Sequence, residues 1–201
     1  MPSETAEMLA AASAGGALSS LRAELLALVR REGHERRPEP FQLSSGQWSY
    51  DYIDGKRAIS GGKDLLLAAK CVDALASETG IDYEAVGGLT MGADPLSHGV
   101  ALLTGKRWFA VRKEPKRHGK QKLIEGAELS QGERVLMVDD VVTTGQSILQ
   151  ALEAVKGVGA EVVLAVSLVD RGMRARERMK AQGVRYEPLL TFEDLGIDPV
   201  G

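Results

Sequence analysis

Apolar residues recur at helical spacing through Leu18–Arg31 and again through Asp64–Ser77. The first segment has Ser19 and Ser20 as cap candidates and Arg30 and Arg31 where a helix C-terminus favours positive charge. Gly33 ends it, and Gly80 ends the second segment. Between them, Phe41–Leu43 and Tyr50–Ile53 read as short strands about a turn at Ser44-Ser45-Gly46. From residue 86 the pattern alternates. Val86–Leu89, Trp108–Val111, Val135–Val138, Val162–Val169 and Val184–Leu190 predict strands, and Leu96–Leu103, Ser147–Val155 and Met173–Lys180 predict helices.

Unbroken apolar runs such as V-L-M-V and V-V-L-A-V suit strands buried on both faces. Their alternation with helices predicts an α/β fold, a central and mostly parallel sheet flanked by helices. Ligands of such sheets bind beyond the carboxyl ends of the strands. Chemistry is therefore expected just after Leu89, Val111, Val138 and Val169. Residues 1–17, rich in Ala, Ser and Gly, are expected to form a flexible N-terminal extension, and residues 18–201 a single domain.

Composition narrows the function classes. Of the 201 residues 44% are hydrophobic and 26% charged, with a net charge of −3. A chain with that balance is not built to coat nucleic acid or a membrane, so any anion it binds needs a local cluster of cations. No apolar run approaches the roughly 18 residues of a membrane span. No basic region precedes an apolar run at the N-terminus, so a cytoplasmic protein is expected. Cys71, the one cysteine, is expected to be a buried small hydrophobe.

The most informative stretch is V-L-M-V-D-D-V-V-T-T-G-Q-S-I, residues 135–148. An apolar strand runs into Asp139 and Asp140, then Thr143-Thr144-Gly145-Gln146-Ser147, then a helix. A helix start offers unpaired N–H groups and a positive dipole end, which suit a phosphate monoester. Two adjacent carboxylates can accept hydrogen bonds from a vicinal diol, such as the ribose 2′- and 3′-hydroxyls. A plain capped corner would need only one acid or hydroxyl.

This stretch resembles the phosphoribosyl-pyrophosphate motif of the type I phosphoribosyltransferases. The resemblance implies that Asp139 and Asp140 hold the ribose diol. It also implies that Val141 and Val142 lead into a 5′-phosphate cradle of Thr143, Thr144, Gly145, Gln146 and Ser147. It further implies a small N-terminal hood on the sheet and Mg²⁺ as cofactor, held mainly by substrate and water with no direct protein ligand.

A second cluster, R-K-E-P-K-R-H-G-K-Q-K at residues 112–122, carries six Lys or Arg residues and His118. Alone it would read equally well as a solvated charge run or a nucleic-acid patch. At a strand end on the acidic motif's side, it can instead neutralise a pyrophosphate leaving group and exclude water. The pattern R-K-E-x-K-x-H-G is similar to the catalytic loop of orotate phosphoribosyltransferases. By that resemblance Arg112, Lys113, Lys116 and His118 contact pyrophosphate, and Lys116, His118 and Asp140 are the catalytic residues. The loop would reach across a homodimer into the partner's site.

The segment F-Q-L-S-S-G-Q-W-S-Y-D-Y-I-D, residues 41–54, is similar to the family's N-terminal F-x-L-x-S-G motif, with Ser44 where many members carry lysine. G-G-L-T-M-G-A-D-P, residues 87–95, resembles the subgroup written G-A-D-P. Arg171, at the end of Val162–Val169, could fork onto the carboxylate of orotate or pair at the surface with Asp170. Arg174, Arg176 and Arg178 are expected on a solvated helix face.

The expected activity is transfer of ribose 5-phosphate from phosphoribosyl pyrophosphate to orotate, giving orotidine 5′-monophosphate and pyrophosphate. The partners would be these two substrates, with no nucleic acid and no membrane. The alternatives are a phosphoribosyltransferase for another base and a phosphoribosyl-pyrophosphate-sensing regulator.

Overall fold

The computed structural model describes residues 4–43, 45–114 and 122–200. Its centre is a six-stranded sheet in the order β5-β4-β3-β6-β7-β8. The strands are β3 (Ala85–Leu89), β4 (Arg107–Val111), β5 (Ile124–Gly126), β6 (Arg134–Val142), β7 (Glu161–Asp170) and β8 (Tyr186–Thr191). All neighbours are parallel except the edge pair β4–β5, which is antiparallel. A hairpin of β1 (His34–Gln42) and β2 (Trp48–Ile53) stands apart from this sheet as its own two-stranded unit.

Burial of β6 on both faces explains the layers. Leu136 and Val138 join a core with residues of α1 (Glu4–Leu28), α3 (Gly62–Thr79) and α4 (Asp94–Thr104). Val135 and Met137 join a second core with α5 (Gln146–Gly157) and α6 (Ala175–Ala181). Alternate side chains of one strand thus serve opposite layers, as the pleat requires. Cys71 is buried in the first core, and burial pushes its thiol up to about 12.

The mostly parallel sheet flanked by helices agrees with the sequence pattern, but several boundaries differ. The first helix begins at Glu4 rather than Leu18, and a π-helical turn at Val29–Gly33 follows it. The sixth strand continues past Val138 through both acids to Val142. Asp139 pairs with Ser167, Val141 with Val169 and Val142 with Asp170. Ladder hydrogen bonds use only the backbone, so polar side chains at a strand end do not stop it. The strand expected at Phe41–Leu43 is the end of a longer one starting at His34. Three elements of three or four residues were too short to leave a periodic signal: β5, α2 (Gly55–Ala58) and α7 (Phe192–Leu195).

The two-layer core sets a testable cost. Leu136 is fully buried on the central strand β6. Leu136→Ala should lose about 2–5 kcal/mol of unfolding free energy in a urea titration. A loss below about 1 kcal/mol would mean that the first core is not close-packed around β6.

Candidate active site

The site forms where β6 ends and α5 begins. Asp139 and Asp140 are buried, 5% and 8% exposed. The Asp140 N–H donates to Asp139 Oδ1 at 3.0 Å. Burial and the neighbouring charge of Asp140 push the Asp139 carboxyl well above its ordinary range. Lys56 Nζ donates to Asp140 Oδ2 at 2.7 Å. Burial alone would lower the Lys56 pKa, but the hydrogen bond and charge of Asp140 outweigh it, and the net shift is upward.

Two glycines make this corner possible. A Cβ on Gly92 would fall 2.6 Å from Asp140 Oδ1 and 2.7 Å from Asp139 Oδ1. A Cβ on Gly55 would fall 3.0 Å from the Asp140 Cβ. The backbone therefore closes on the acids from two directions, and side chains at these positions would displace them.

Beyond the acids lies a cleft of about 480 Å³ lined by Asp139, Val141, Val142, Thr143, Thr144, Gly145, Gln146 and Ser147. Gly145 precedes α5 at φ +78°, and a Cβ there would lie 3.2 Å from the Ala175 Cα on α6. The left-handed turn and the close helix both call for glycine, and they aim the start of α5 at the cleft. Helix N-terminal N–H groups, hydroxyls and a dipole end facing one cavity suit a phosphate.

Lys113 and Arg178 also line this cleft. Arg178 thus departs from the solvated face expected for it, because α6 packs beside Gly145 and turns this residue inward. Arg176 lies 3.6 Å from Glu187 in an exposed ion pair. Arg112 lines a neighbouring cleft of about 1060 Å³ at the sheet edge, with Arg112 Nη1 3.8 Å from Glu125 Oε1. Lys116 and His118 lie outside the described residues, as does Ser44.

Arg171, at the end of β7, is 2% exposed, which excludes the surface pair with Asp170. Its Nη2 donates to Ser49 Oγ at 2.8 Å and to the Asp51 carbonyl at 2.9 Å, both on β2. Its Nε is buried with no hydrogen-bond partner in the structure. The Asp51 carboxylate in turn meets His34 Nε2 and Arg36 Nη1, each at 2.9 Å. Asp170 instead accepts from the Gly172 N–H at 3.0 Å. A side chain at Gly172 would collide with the Thr143 carbonyl, so the ends of β6 and β7 are locked together.

Sequence reasoning passed over Lys56, gave no individual role to Gly92, Ser49 and Asp51 although they lie inside the motifs quoted above, and placed Arg178 on a solvated face. Lys56 is separated from Asp140 by 84 residues, and Arg171 from Ser49 by 122, so no local pattern carries these pairs. Among the described residues, no cluster of three or more His, Cys, Asp or Glu could hold a metal by itself. No described helix is long and apolar enough to cross a membrane.

Comparison with known proteins agrees with this geometry. The phosphoribosyl transferase domain family matches residues 85–186, which hold β3 to β7, both acids and residues 141–147 of the cleft. The orotate phosphoribosyltransferase of Mycobacterium tuberculosis is 43% identical over 181 residues, 88% of this chain and 97% of that protein. That of Pyrococcus abyssi is 43% identical over 155 residues, covering 77% of this chain and 85% of its own. The mycobacterial enzyme, solved in complex with 5-phospho-α-D-ribosyl 1-diphosphate, superposes with a TM-score of 0.73. It is 41% identical, and the match covers 88% of this chain and 99% of that one. The orotate phosphoribosyltransferase of Aeropyrum pernix superposes with a TM-score of 0.67 at 34% identity, over 80% and 91% of the two chains. The chain belongs to the phosphoribosyltransferases, in the branch whose relatives are named orotate phosphoribosyltransferase.

The raised Asp139 pKa has a consequence for stability. The folded protein holds that proton more tightly than the unfolded chain, so ionised Asp139 destabilises the fold above the folded pKa. Asp139→Asn should therefore raise unfolding free energy at pH 8–9 by roughly 1–3 kcal/mol. The gain should shrink as pH falls toward the ordinary carboxylate range near ~4, where both states are protonated. Denaturant titrations across pH check this, and a pH-independent difference would contradict it.

Proposed function

We propose that the chain transfers ribose 5-phosphate from phosphoribosyl pyrophosphate to orotate, releasing pyrophosphate and orotidine 5′-monophosphate, in cytoplasmic pyrimidine synthesis. The observation that carries the reading is the corner joining two buried carboxylates to a hydroxyl-lined cleft at the α5 N-terminus. The relatives' names supply the base.

Each residue has a role in this reading. Asp139 and Asp140 accept hydrogen bonds from the ribose hydroxyls. The segment Thr143–Ser147 holds the 5′-phosphate through N–H groups and hydroxyls, with Val141 and Val142 shaping its approach. Arg171 is a buried cation whose Nε has no partner, which suits the orotate carboxylate. Its other bonds fix it to the β1–β2 hairpin, which acts as the hood. Arg112, Lys113, Lys116 and His118 take the pyrophosphate.

The C1–O bond to pyrophosphate breaks with its electron pair leaving on the phosphate oxygen, and charge develops at C1 as in an oxocarbenium ion. The cations of residues 112–118 stabilise the leaving group. A ring nitrogen of orotate forms the new bond from the opposite face, its N–H proton passing to water or to the departing pyrophosphate. No side chain needs to act as a covalent nucleophile. The two adjacent buried carboxylates, with Asp139 raised by burial and by the charge of Asp140, fit a divalent cation arriving with the substrate. Bound Mg²⁺ would supply positive charge on the pyrophosphate.

The assay is the loss of orotate absorbance with phosphoribosyl pyrophosphate and Mg²⁺. Orotate should be consumed, while adenine, hypoxanthine and uracil at matched concentrations should not. Turnover of a purine without turnover of orotate would overturn the base assignment.

The chain is further proposed to act as a homodimer whose basic loop serves the partner's site. Inactive Lys116→Ala protein mixed with inactive Asp140→Asn protein should then recover activity. Random exchange makes half of the dimers mixed, and one of their two sites is intact, so about a quarter of wild-type sites should return. No recovery after verified exchange would mean that each loop serves its own chain.

A further inference from the structure

Lys56 reaches the acidic pair from an element with no phosphate or sugar motif of its own. It sits on α2, the short helix after the β1–β2 hairpin, where Asp54 Oδ1 accepts from the Arg57 N–H at 3.0 Å. Gly55, next to it, is packed against Asp140 and Val141 so closely that a Cβ would lie 3.0–3.1 Å from their side chains. The backbone at Lys56 is thus fixed against β6, while its side chain remains 49% exposed. An ammonium has three N–H donors, and the hydrogen bond described for Lys56 uses one, on Asp140.

We propose that Lys56 is a pyrophosphate-binding residue, its ammonium bridging Asp140 and the first phosphate of the phosphoribosyl pyrophosphate leaving group. This rests on the functional reading above. In that substrate the 2′-hydroxyl and the pyrophosphate stand on adjacent ring carbons. A cation bonded to the carboxylate that holds the diol therefore lies beside the leaving group. Two further facts point the same way. The corner carries two buried carboxylates, so a polyanion entering it needs a cation positioned there in advance. The loop facing the acids, Thr90 to Ala93, carries no Lys or Arg, and Gly92 in it has no room for a side chain, so that loop supplies no cation. The anchored stem of Lys56 and its exposed tip meet the requirement.

The test uses full-length Lys56→Ala, Lys56→Gln and Lys56→Arg proteins with folding checked by thermal melts. Calorimetric titrations with Mg²⁺ present compare three probes: phosphoribosyl pyrophosphate, inorganic pyrophosphate and ribose 5-phosphate. The last has the diol and the 5′-phosphate but no leaving group. Lys56→Ala and Lys56→Gln should weaken the first two probes by about tenfold or more, the scale of a lost charged hydrogen bond. Ribose 5-phosphate should stay within about twofold, and Lys56→Arg should keep most of the pyrophosphate affinity. Unchanged pyrophosphate affinity in a folded Ala or Gln variant would overturn the inference. So would an equal loss for ribose 5-phosphate, which would make Lys56 only a holder of Asp140. A wild-type chain that binds none of the three probes would overturn the functional reading and the inference with it.

Discussion

Asp139 and Asp140 stand side by side at the buried end of β6, and their crowded negative charge constrains everything around them. Two carboxylates in such a place cost stability unless cations or donors meet them. The chain answers only in part. Lys56 meets Asp140, and the Asp140 N–H meets Asp139, yet Asp139 is still held above its ordinary range. In the proposed reading, a corner kept short of positive charge suits a ligand that presents hydroxyl donors and arrives with a divalent cation.

The fold supports this corner from three directions. The parallel sheet brings the carboxyl ends of β3, β6 and β7 together. From β3 comes the loop with Gly92, which closes on both carboxylates. From β6 comes the turn at Gly145, which aims α5 into the cleft of residues 141–147. From β7 comes Arg171, whose guanidinium ties the sheet to the hairpin through Ser49 and Asp51. The hairpin thus holds a buried cation, and α2, which follows it, braces the acids through Gly55 and Lys56.

Much of this was legible in the sequence, and the reason is local. The strand, acids, hydroxyls, glycine and helix of residues 135–148 are contiguous, so their order predicts their geometry. The run of apolar segments likewise predicts the layered sheet. Arg171 was readable as a strand-end cation, but its partners on β2 were not. Lys56 was invisible for the same reason, since its meaning comes from a contact 84 residues away. Arg178 is expected on a solvated face with its neighbours Arg174 and Arg176, whereas the packing of α6 against Gly145 brings it to the cleft. Elements as short as β5 and α2 exist through tertiary contacts rather than propensity, so no periodicity announces them.

The central claim is that the buried acids read a vicinal diol, and comparing ribose 5-phosphate with 2-deoxyribose 5-phosphate isolates that claim. The two ligands share the phosphate and differ by one hydroxyl. Calorimetric titration of the wild-type chain should show the ribose form binding about tenfold or more tightly, as expected for a hydrogen bond to a charged acceptor. The preference should largely vanish in Asp139→Asn or Asp140→Asn, whichever carboxylate takes the 2′-hydroxyl. Equal affinity of the wild-type chain for the two sugars would contradict the account, leaving the acids a structural corner beside a phosphate site.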